Sequence, residues 1–271
     1  HSFGVIANGK RFYCRIVAGV RRATELYLRP DGMGERHFCV RLYMPAGSAI
    51  GMDKAVMRKI LAYHNIPQVG FTTVLRSLVE SDVAEAVKRV EAALAYPVFV
   101  KPANGGSSVG ISKAHDAAEL VESLKLAAKY DRKILVEQGV NVREIEISVL
   151  GNEQPMVSVP GEIVASNEFY DYKAKYIDNK SVSVIPADIP ADITAKIQAL
   201  AVETYQALEC EGFSRVDFFM EKGTNEIVFN EINTLPGFTS ISMYPKLMEA
   251  SGISYPELLD LLITYAIDRM N

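Results

Sequence analysis

The chain has 271 residues, and 29 Lys and Arg against 33 Asp and Glu give it a net charge of −4. Because binding through phosphate neutralisation needs a basic surface, this charge argues against nucleic acid as the main partner. Hydrophobic residues make up 49% of the chain, yet no run approaches the ~18 apolar residues of a membrane span, so we expect no membrane partner. At roughly 100–200 residues per domain, the length predicts one large domain or two to three smaller ones.

Three cysteines, Cys14, Cys39 and Cys210, are widely spaced and form no Cys-x-x-Cys pair. This spacing excludes a disulfide framework and a thiolate zinc site, and it is typical of a reducing compartment. The chain opens with His1-Ser2-Phe3-Gly4-Val5, where no basic stretch is followed by an apolar core. We therefore expect no secretory signal and a cytoplasmic location.

The pattern of apolar residues changes near Met52. Residues 1–51 hold only short apolar patches, whereas helical or alternating spacing is clear afterwards. Two capping-box patterns, in which an acidic residue precedes a Glu by three positions, predict helix starts at Asp82 and Asp116. The predicted elements in chain order are a helix at 53–64, a helix after 82, strands at 97–101 and 109–113, a helix after 116, strands at 134–136, 144–150 and 156–159, a helix at 192–209, strands at 213–220 and 226–232, and a helix at 255–269. Strands and helices mixed with local hairpins predict the α+β class.

A loop rich in glycine and serine joins the strands predicted at 97–101 and 109–113. Gly105 and Gly106 have no Cβ, so backbone N–H groups there can approach an anion, and the neighbouring serines add hydroxyl donors. Lys101 ends the preceding strand and could place a cation on the same phosphates. No Walker or Gly-x-Gly-x-x-Gly motif is present. An ordinary flexible hairpin loop is the alternative, and composition does not decide between the two.

The strands at 213–220 and 226–232 predict a hairpin with an acidic face. Alternation places Arg215 and Asp217 on one face, and Glu231 and Asn233 also share a face. If residues 220 and 226 close the hairpin, Glu231 lies opposite Arg215 and diagonal to Asp217. Oxygen ligands of this kind suit Mg²⁺, and the arginine could offset charge on a reacting oxyanion. A salt bridge on the surface is the alternative, but the apolar residues on both strands favour the metal site.

Two further segments carry candidate binding groups. Gly237 follows a proline in a turn and can direct its N–H toward a carboxyl group, and Ser242 lies near the next helix start, where N–H groups favour anions. Residues 169–176 contain aromatic rings that can sandwich a purine and lysines that can reach phosphates. A plain strand-to-helix loop and a solvated lid loop are the respective alternatives.

Taken together and in this order, six segments resemble the ATP-grasp ligases, and most closely the D-alanine–D-alanine ligases. The matching segments are Gly51-Met52-Asp53-Lys54, Val98-Phe99-Val100-Lys101-Pro102, Gly105-Gly106-Ser107-Ser108-Val109-Gly110, Phe169-Tyr170-Asp171-Tyr172-Lys173-Ala174-Lys175-Tyr176, Gly212-Phe213-Ser214-Arg215-Val216-Asp217, and Asn230-Glu231-Ile232-Asn233-Thr234-Leu235-Pro236-Gly237-Phe238-Thr239-Ser240. The resemblance covers residues 49–271. It implies an ATP-grasp fold of two α+β subdomains, at 52–140 and 141–271, preceded by a shortened α/β N-terminal domain at 1–51.

The resemblance also implies a role for each matching position. The groups that would hold the phosphates of ATP are Lys54, Lys101, Lys175 and the loop residues Gly105, Gly106 and Ser108. Those that would hold the nucleoside are Glu137 at the adenine edge, Glu144 at the ribose hydroxyls and Phe169 on the purine. Asp217, Glu231 and Asn233 would hold two Mg²⁺ ions, with Mn²⁺ as an alternative metal. Ser107 and Tyr176 would form a hydrogen-bonded pair that closes the site. Arg215 and the Gly237 N–H would stabilise the oxyanion, and Ser242 would bind the carboxylate of the second amino acid.

The implied activity is that of an ATP-dependent carboxylate-amine ligase. It would join two D-alanine molecules into D-alanyl-D-alanine through an acyl phosphate, for peptidoglycan precursor synthesis, and the family resemblance implies a homodimer. One alternative is a ligase that joins D-alanine to D-serine or D-lactate, although the segment at 172–176 is of the D-alanine type. The other is a nucleotide-binding module without ligase activity.

The first 51 residues depart from the family pattern. The family has a glycine-rich loop whose glutamate binds the first ammonium group, and a His-Gly segment follows it; we find neither in residues 1–51. The residue that binds the first amino acid is therefore unassigned. We expect that the N-terminal domain is truncated or that segments of it are missing.

Overall fold

The structure of the chain is a computed structural model that describes most of its length. Backbone and side chains are described for 45–106, 108–164, 182–239 and 241–269, and before residue 45 only the backbone is described, over 2–7, 10–19, 22–30 and 38–41. Three separate sheets organise these residues. No helix among them combines the length and the apolar character that crossing a membrane would require.

The first sheet lies before residue 45 and has four antiparallel strands in sequential order. The strands are β1 (Ser2–Ala7), β2 (Lys10–Gly19), β3 (Arg22–Pro30) and β4 (Phe38–Arg41). Helix α1 (Pro45–Met52) follows. The α/β character predicted for residues 1–51 is therefore met in part, because strands and a helix are both present but every described strand pairing is antiparallel.

The second sheet has four antiparallel strands in the order β5-β8-β6-β7. They are β5 (Phe71–Leu75), β6 (Val98–Pro102), β7 (Ser112–Ala114) and β8 (Lys133–Gln138). The helices of this region are α2 (Lys54–Tyr63), α3 (Arg76–Ser81), α4 (Val83–Glu91) and α5 (Ala117–Ala128). The inner faces of α3, α4 and α5 share one apolar core with the sheet. We call this unit the small-sheet region.

Both predicted capping boxes of the small-sheet region are confirmed on their N-cap side. The carboxylate of Asp82 accepts the N–H of Glu85 at 3.0 Å, and that of Asp116 accepts the N–H of Glu119 at 2.9 Å. The strand predicted at 109–113 begins later, at Ser112. Ser108 and Gly110 adopt left-handed backbone angles, with φ of 60° and 74°, which lengthens the loop before β7.

The third sheet is larger, and it runs in the order β12-β11-β9-β13-β14 with β10 paired to β9. Its strands are β9 (Val142–Gly151), β10 (Met156–Val157), β11 (Gly161–Val164), β12 (Val182–Val184), β13 (Gly212–Glu221) and β14 (Ile227–Asn233). Helices α6 (Ala191–Ala207), α7 (Met243–Ala250) and α8 (Tyr255–Asp268) pack on it. The antiparallel pairing predicted for 144–150 is confirmed. We call this unit the large-sheet region.

Different helices pack on the two faces of the large sheet. On one face, Val216 and Phe218 share a core with α2 and α6. On the other face, Leu150 and Phe213 pack under α7 and α8. Side chains alternate along a strand, so Arg215 on β13 lies on the same face as Phe213. The polar residues of the site lie on this face, beyond the part that α7 and α8 cover. The α+β class predicted from the sequence is confirmed.

Candidate active site

Three carboxylates stand in a row across three neighbouring strands of the large sheet. Asp217 on β13 pairs with Glu146 on β9 on one side and with Glu231 on β14 on the other. Cross-strand partners lie on the same face of a sheet, so the three carboxylates face the same side. We call Glu146, Asp217 and Glu231 the acidic row.

The register of this hairpin corrects the one expected from the sequence. Glu231 lies opposite Asp217 rather than opposite Arg215, and Arg215 lies opposite Asn233. Two shifts of one residue produce the difference. The hairpin closes with Met220 opposite Ile227, and a bulge on β14 inserts Asn230 between the residues that face Phe218 and Asp217.

Arg215 is held by two carboxylates of the acidic row. Its Nε and Nη2 each donate to Asp217 at 2.7 Å, and its Nε lies 3.1 Å from Glu146 Oε2. Burial alone would lower the pKa of the Arg215 guanidinium, but the charges of Asp217 and Glu146 raise it above its ordinary value. Asn233 donates its Nδ2 to Asp217 at 3.1 Å. The predicted group of Arg215, Asp217, Glu231 and Asn233 is therefore brought together.

Glu146 is a member of this group that the sequence analysis missed. Burial raises the pKa of its carboxyl group to about 8, and the neighbouring charge of Asp217 adds to the effect. The signal in the sequence was the alternation of Glu144 and Glu146 on one face of a strand. Nothing in the sequence showed that this face pairs with Asp217 some seventy positions later.

The acidic row has the chemistry of a site for a hard divalent cation. The three side chains bring carboxyl oxygens together beside a single guanidinium, and oxygen donors are what Mg²⁺ takes from proteins. As the site stands, Asp217 is bonded to Arg215 and Asn233, and no group of three or more His, Cys, Asp or Glu side chains in the described part of the chain is arranged to hold a metal ion. The donor set fits a cation, which would compete with Arg215 for the oxygens of Asp217.

A cationic group faces the acidic row from the small-sheet region. Lys54, at the start of α2, donates its Nζ to the carbonyl of Gly105 at 2.7 Å, and its N–H donates to Ala103 at 3.0 Å. Burial lowers the pKa of Lys54, and the charge of Lys101 lowers it further, whereas Glu231 acts in the opposite sense. The charge of Glu231 on the large sheet thus acts on a lysine of the small-sheet region.

The loop between β6 and β7 is fixed at both ends and open in the middle. At its start, Asn104 donates its N–H and its Nδ2 to Asp131 at 2.7 and 3.0 Å. At its end, a Cβ on Gly110 would lie 2.5 Å from the Tyr130 ring, whereas a Cβ on Gly106 would meet no atom within 4 Å. The exposed backbone at 105–106 therefore leaves room for a ligand, and its binding of phosphates stays a prediction.

Lys101 is tied to a buried carboxylate. Its Nζ lies 2.5 Å from Glu137 Oε2, and the other oxygen of Glu137 accepts from Arg58. Burial would raise the pKa of Glu137, but Arg58 and Lys101 overcome that effect and hold its pKa at about 2. Arg58 is a second residue that the sequence analysis missed, since nothing in the pattern of α2 distinguishes it from a surface arginine.

Gly237 and Ser242 lie next to one another, and their role in substrate binding stays a prediction. A Cβ on Gly237 would come within 2.7 Å of Ser242 Oγ, so only glycine leaves this space open. Ser242 precedes α7 and makes no capping bond to it. Its Oγ instead accepts the N–H of Thr239 at 3.0 Å.

The remaining candidates divide into two described residues and four others. Ser108 lies in the loop between β6 and β7, with φ of 60°. Glu144 lies on β9 on the same face as Glu146, opposite Phe219. The candidates that lie outside the described residues are Ser107, Phe169, Lys175 and Tyr176. Their roles stay predictions.

Comparison with known proteins identifies the family of the chain. Residues 60–264 match the family described as D-ala D-ala ligase C-terminus. Over 224 residues, 83% of this chain, it is 54% identical to the D-alanine–D-alanine ligase of Acetivibrio thermocellus, of which it covers 60%. It is also 54% identical over 223 residues to the ligase of the same name from Solibacter usitatus, of which it covers 67%. The chain thus spans about 60% of the length of the first of these curated relatives.

Solved structures show the same relationship. The VanG D-Ala:D-Ser ligase of Enterococcus faecalis aligns with a TM-score of 0.74 and 41% identity, covering 82% of this chain and 63% of that one. The D-alanine–D-alanine ligase of Coxiella burnetii aligns with a TM-score of 0.70 and 36% identity, covering 83% and 59%. The chain belongs to the D-alanine–D-alanine ligase family.

Proposed function

We propose that this chain carries the nucleotide and metal sites of an ATP-dependent ligase that joins two D-alanine molecules. The observation that carries the proposal is the placement of a cationic group, Lys54 and Lys101, opposite an acidic row that also holds Arg215. Phosphates need the cations, a hard divalent cation needs the carboxylates, and a developing oxyanion needs the arginine. The curated relatives named as D-alanine–D-alanine ligases support the same activity.

When bound, ATP supplies the phosphoryl group that activates a carboxylate as an acyl phosphate, and Mg²⁺ offsets the charge on its phosphates. In this chain, Lys54 and Lys101 would hold those phosphates beneath the open backbone at 105–106. Asp217, Glu231 and Asn233 would hold the cation. Glu144 and Phe169 are proposed for the nucleoside, and Lys175 for the transferred phosphoryl group.

The chain's own residues would then stabilise the addition of an amine to the activated carbonyl. Arg215, once released from Asp217, can place its guanidinium on the oxyanion, and the N–H of Gly237 can donate to the same atom. Ser242 would bind the carboxylate of the incoming D-alanine beside Gly237. The proposed pair of Ser107 and Tyr176 would exclude water, which would otherwise hydrolyse the activated intermediate.

The test is product analysis by mass spectrometry after incubation with ATP, MgCl₂ and D-alanine. The expected result is D-alanyl-D-alanine together with ADP release that depends on D-alanine. Parallel incubations that add D-serine or D-lactate as second substrate decide among the ligase alternatives, and the named relative from Enterococcus faecalis makes D-serine the first to try. Nucleotide binding without any dipeptide or ester product would instead support a non-catalytic module. A homodimer and a cytoplasmic location stay predictions.

A further inference from the structure

Three aromatic rings pack against one another in the core between the large sheet and the helices α7 and α8. They belong to Phe213 on β13, Phe238 in the turn after β14, and Tyr244 in the first turn of α7. The ring centroids of Phe213 and Phe238 are 5.9 Å apart, and each of the two pairs that contain Tyr244 is 5.5 Å apart. Aromatic rings attract one another at these distances, so a movement of one ring displaces the other two. We call these three residues the aromatic triad.

Each ring of the triad stands one or two positions in sequence from a residue that the proposed function uses. The pairs are Phe213 with Arg215, Phe238 with Gly237, and Tyr244 with Ser242. Side chains alternate along β13, so the ring at 213 lies on the same face as the guanidinium proposed for the oxyanion. The triad therefore connects the three segments that carry the proposed oxyanion groups and the proposed substrate serine.

Tyr244 is also hydrogen-bonded to β9, the strand that pairs with the strand of Arg215. Its hydroxyl donates to the carbonyl of Val149 at 3.1 Å, and the hydroxyl of Ser148 donates to the Tyr244 carbonyl at 3.2 Å. Ser148 and Tyr244 are fully buried, and Ser148 is the cross-strand partner of Arg215. Because a buried polar group that loses its partner is costly, these two bonds fix the first turn of α7 beside Arg215.

Ser242, in contrast, is bonded within its own turn. Its Oγ accepts the N–H of Thr239 at 3.0 Å and lies 2.9 Å from the Thr239 hydroxyl. Thr239 is exposed, so these bonds fix Ser242 to a turn at the surface rather than to the strand of Arg215. The bonds of Tyr244 to β9, two positions later, therefore determine how far Ser242 stands from that strand.

We propose that the members of the aromatic triad are positioning residues, which set the distance from Ser242 and Gly237 to Arg215. The substrate held there is a small amino acid, whose carboxylate stays on Ser242 while its amine reaches the carbonyl next to Arg215. Because a displacement of about 1 Å can cost ~10²-fold in rate, the triad determines how strongly the second substrate must carry a carboxylate. The proposal rests on the proposed function and adds the residues that set this requirement.

The test uses Tyr244→Phe, which removes the hydroxyl and keeps the ring. D-Alanine and D-alaninamide compete as second substrate in one reaction with ATP and MgCl₂. D-Alaninamide has the amine but no carboxylate, so it can act only as the amine substrate. The ratio of D-alanyl-D-alanine to D-alanyl-D-alaninamide, measured by mass spectrometry, does not depend on how much of the enzyme is folded. The wild type should favour D-alanine, and Tyr244→Phe should lower the ratio about fivefold, the effect of one misplaced hydrogen bond.

Tyr205→Phe is the matched control. Tyr205 is also fully buried, and its hydroxyl donates to the carbonyl of Gly151 on the same strand β9 at 2.8 Å. It belongs to the core on the other face of the large sheet. Both variants should therefore lower the midpoint of urea unfolding to a similar extent, whereas only Tyr244→Phe should change the product ratio. A ratio that falls equally in both variants would show that Tyr244 is purely structural and would overturn the proposal.

Ser148→Ala tests the same arrangement from the side of the sheet. It removes the other bond between β9 and Tyr244, so the product ratio should fall again, while the KM for ATP should stay unchanged in both variants. A wild type that forms no dipeptide would overturn the proposed function and the role of the triad with it. A wild type that forms dipeptide, with an unchanged product ratio in Tyr244→Phe and Ser148→Ala, would overturn only the role of the triad.

Discussion

Two buried carboxylates, one in each half of the site, have pKa values displaced in opposite directions. Glu137 in the small-sheet region lies between Arg58 and Lys101, and these cations hold its pKa at about 2 in spite of burial. Glu146 in the large-sheet region is buried beside Asp217, and its pKa is raised to about 8. Both side chains contact an arginine, so the difference comes from what else surrounds them.

The difference indicates which half is complete without a ligand. Around Glu137, negative charge is fully compensated by side chains of the chain itself. In the acidic row, Arg215 contacts Asp217 and Glu146, and the raised pKa of Glu146 indicates that the negative charge of its neighbours is not fully compensated. We therefore expect the small-sheet region to present a fixed arrangement of cations, and the large-sheet region to rearrange when a cation binds.

The largest effect on activity and stability is expected from Arg215→Met, which removes the arginine beside the acidic row. Removing the guanidinium takes away the group proposed for the oxyanion, so kcat should fall by about 10²–10³-fold. It also leaves Glu146 and Asp217 side by side without their shared cation, and the loss of one partner from a buried ion pair costs about 3–5 kcal/mol. Steady-state kinetics and urea unfolding measure the two effects.

Arg143→Met is the matched control for that variant. Arg143 lies on the same strand as Glu146 and bonds Glu162 with two short contacts, at 2.8 and 2.6 Å, but it lies outside the acidic row. It should lose some stability and keep its kcat. A comparable fall of kcat in both variants would show that the comparison reflects folding rather than chemistry.

The second largest effect is expected at Glu137, the buried carboxylate of the small-sheet region. It is measured by acid unfolding of the wild type and of Glu137→Gln. The folded pKa of Glu137, about 2, is below its ordinary value of 4.5, so its contribution is complete above pH 4.5 and is lost as the pH falls through 2. The shift corresponds to about 3 kcal/mol. The wild type should therefore exceed Glu137→Gln in unfolding free energy by about this amount at pH 6, with the difference vanishing towards pH 2. A difference that is constant with pH would show that burial and not the ion pair determines the effect.

The parts of the fold and of the site that could be predicted from the sequence are those that depend on local patterns. Helix starts at Asp82 and Asp116 follow from spacing of three residues, and the faces of β13 and β14 follow from alternation. The closure of the hairpin at Ile227 and the bulge at Asn230 leave no such trace, and each of them moved the register by one position from the predicted one. Arg58 was missed because its partners, Glu137 and Phe229, are 79 and 171 positions away.

The third prediction concerns the loop that lies between the two halves. Gly110 has φ of 74° and a Cβ there would lie 2.5 Å from the Tyr130 ring, so Gly110→Ala should lower the unfolding free energy by about 1–3 kcal/mol. Gly106→Ala meets no atom within 4 Å and should change stability by less than about 0.5 kcal/mol. If Gly106→Ala nevertheless weakens tripolyphosphate binding, the open middle of the loop contacts the ligand. Equal destabilisation by both variants would contradict a loop that is fixed only at its ends.

The smallest expected effect tests whether the small-sheet and large-sheet regions unfold separately. Asp116→Ala removes the N-cap bond of α5 and should cost about 1 kcal/mol. The core of the small sheet contains no residue of the three cores of the large sheet. Hydrogen exchange should therefore quicken in β6 and β8 and stay unchanged in β9 and β13. Arg58 works against this independence, because it bonds to both sheets at once. Equal quickening in all four strands would therefore mean that this one buried arginine, with α2, is enough to make the two regions a single cooperative unit.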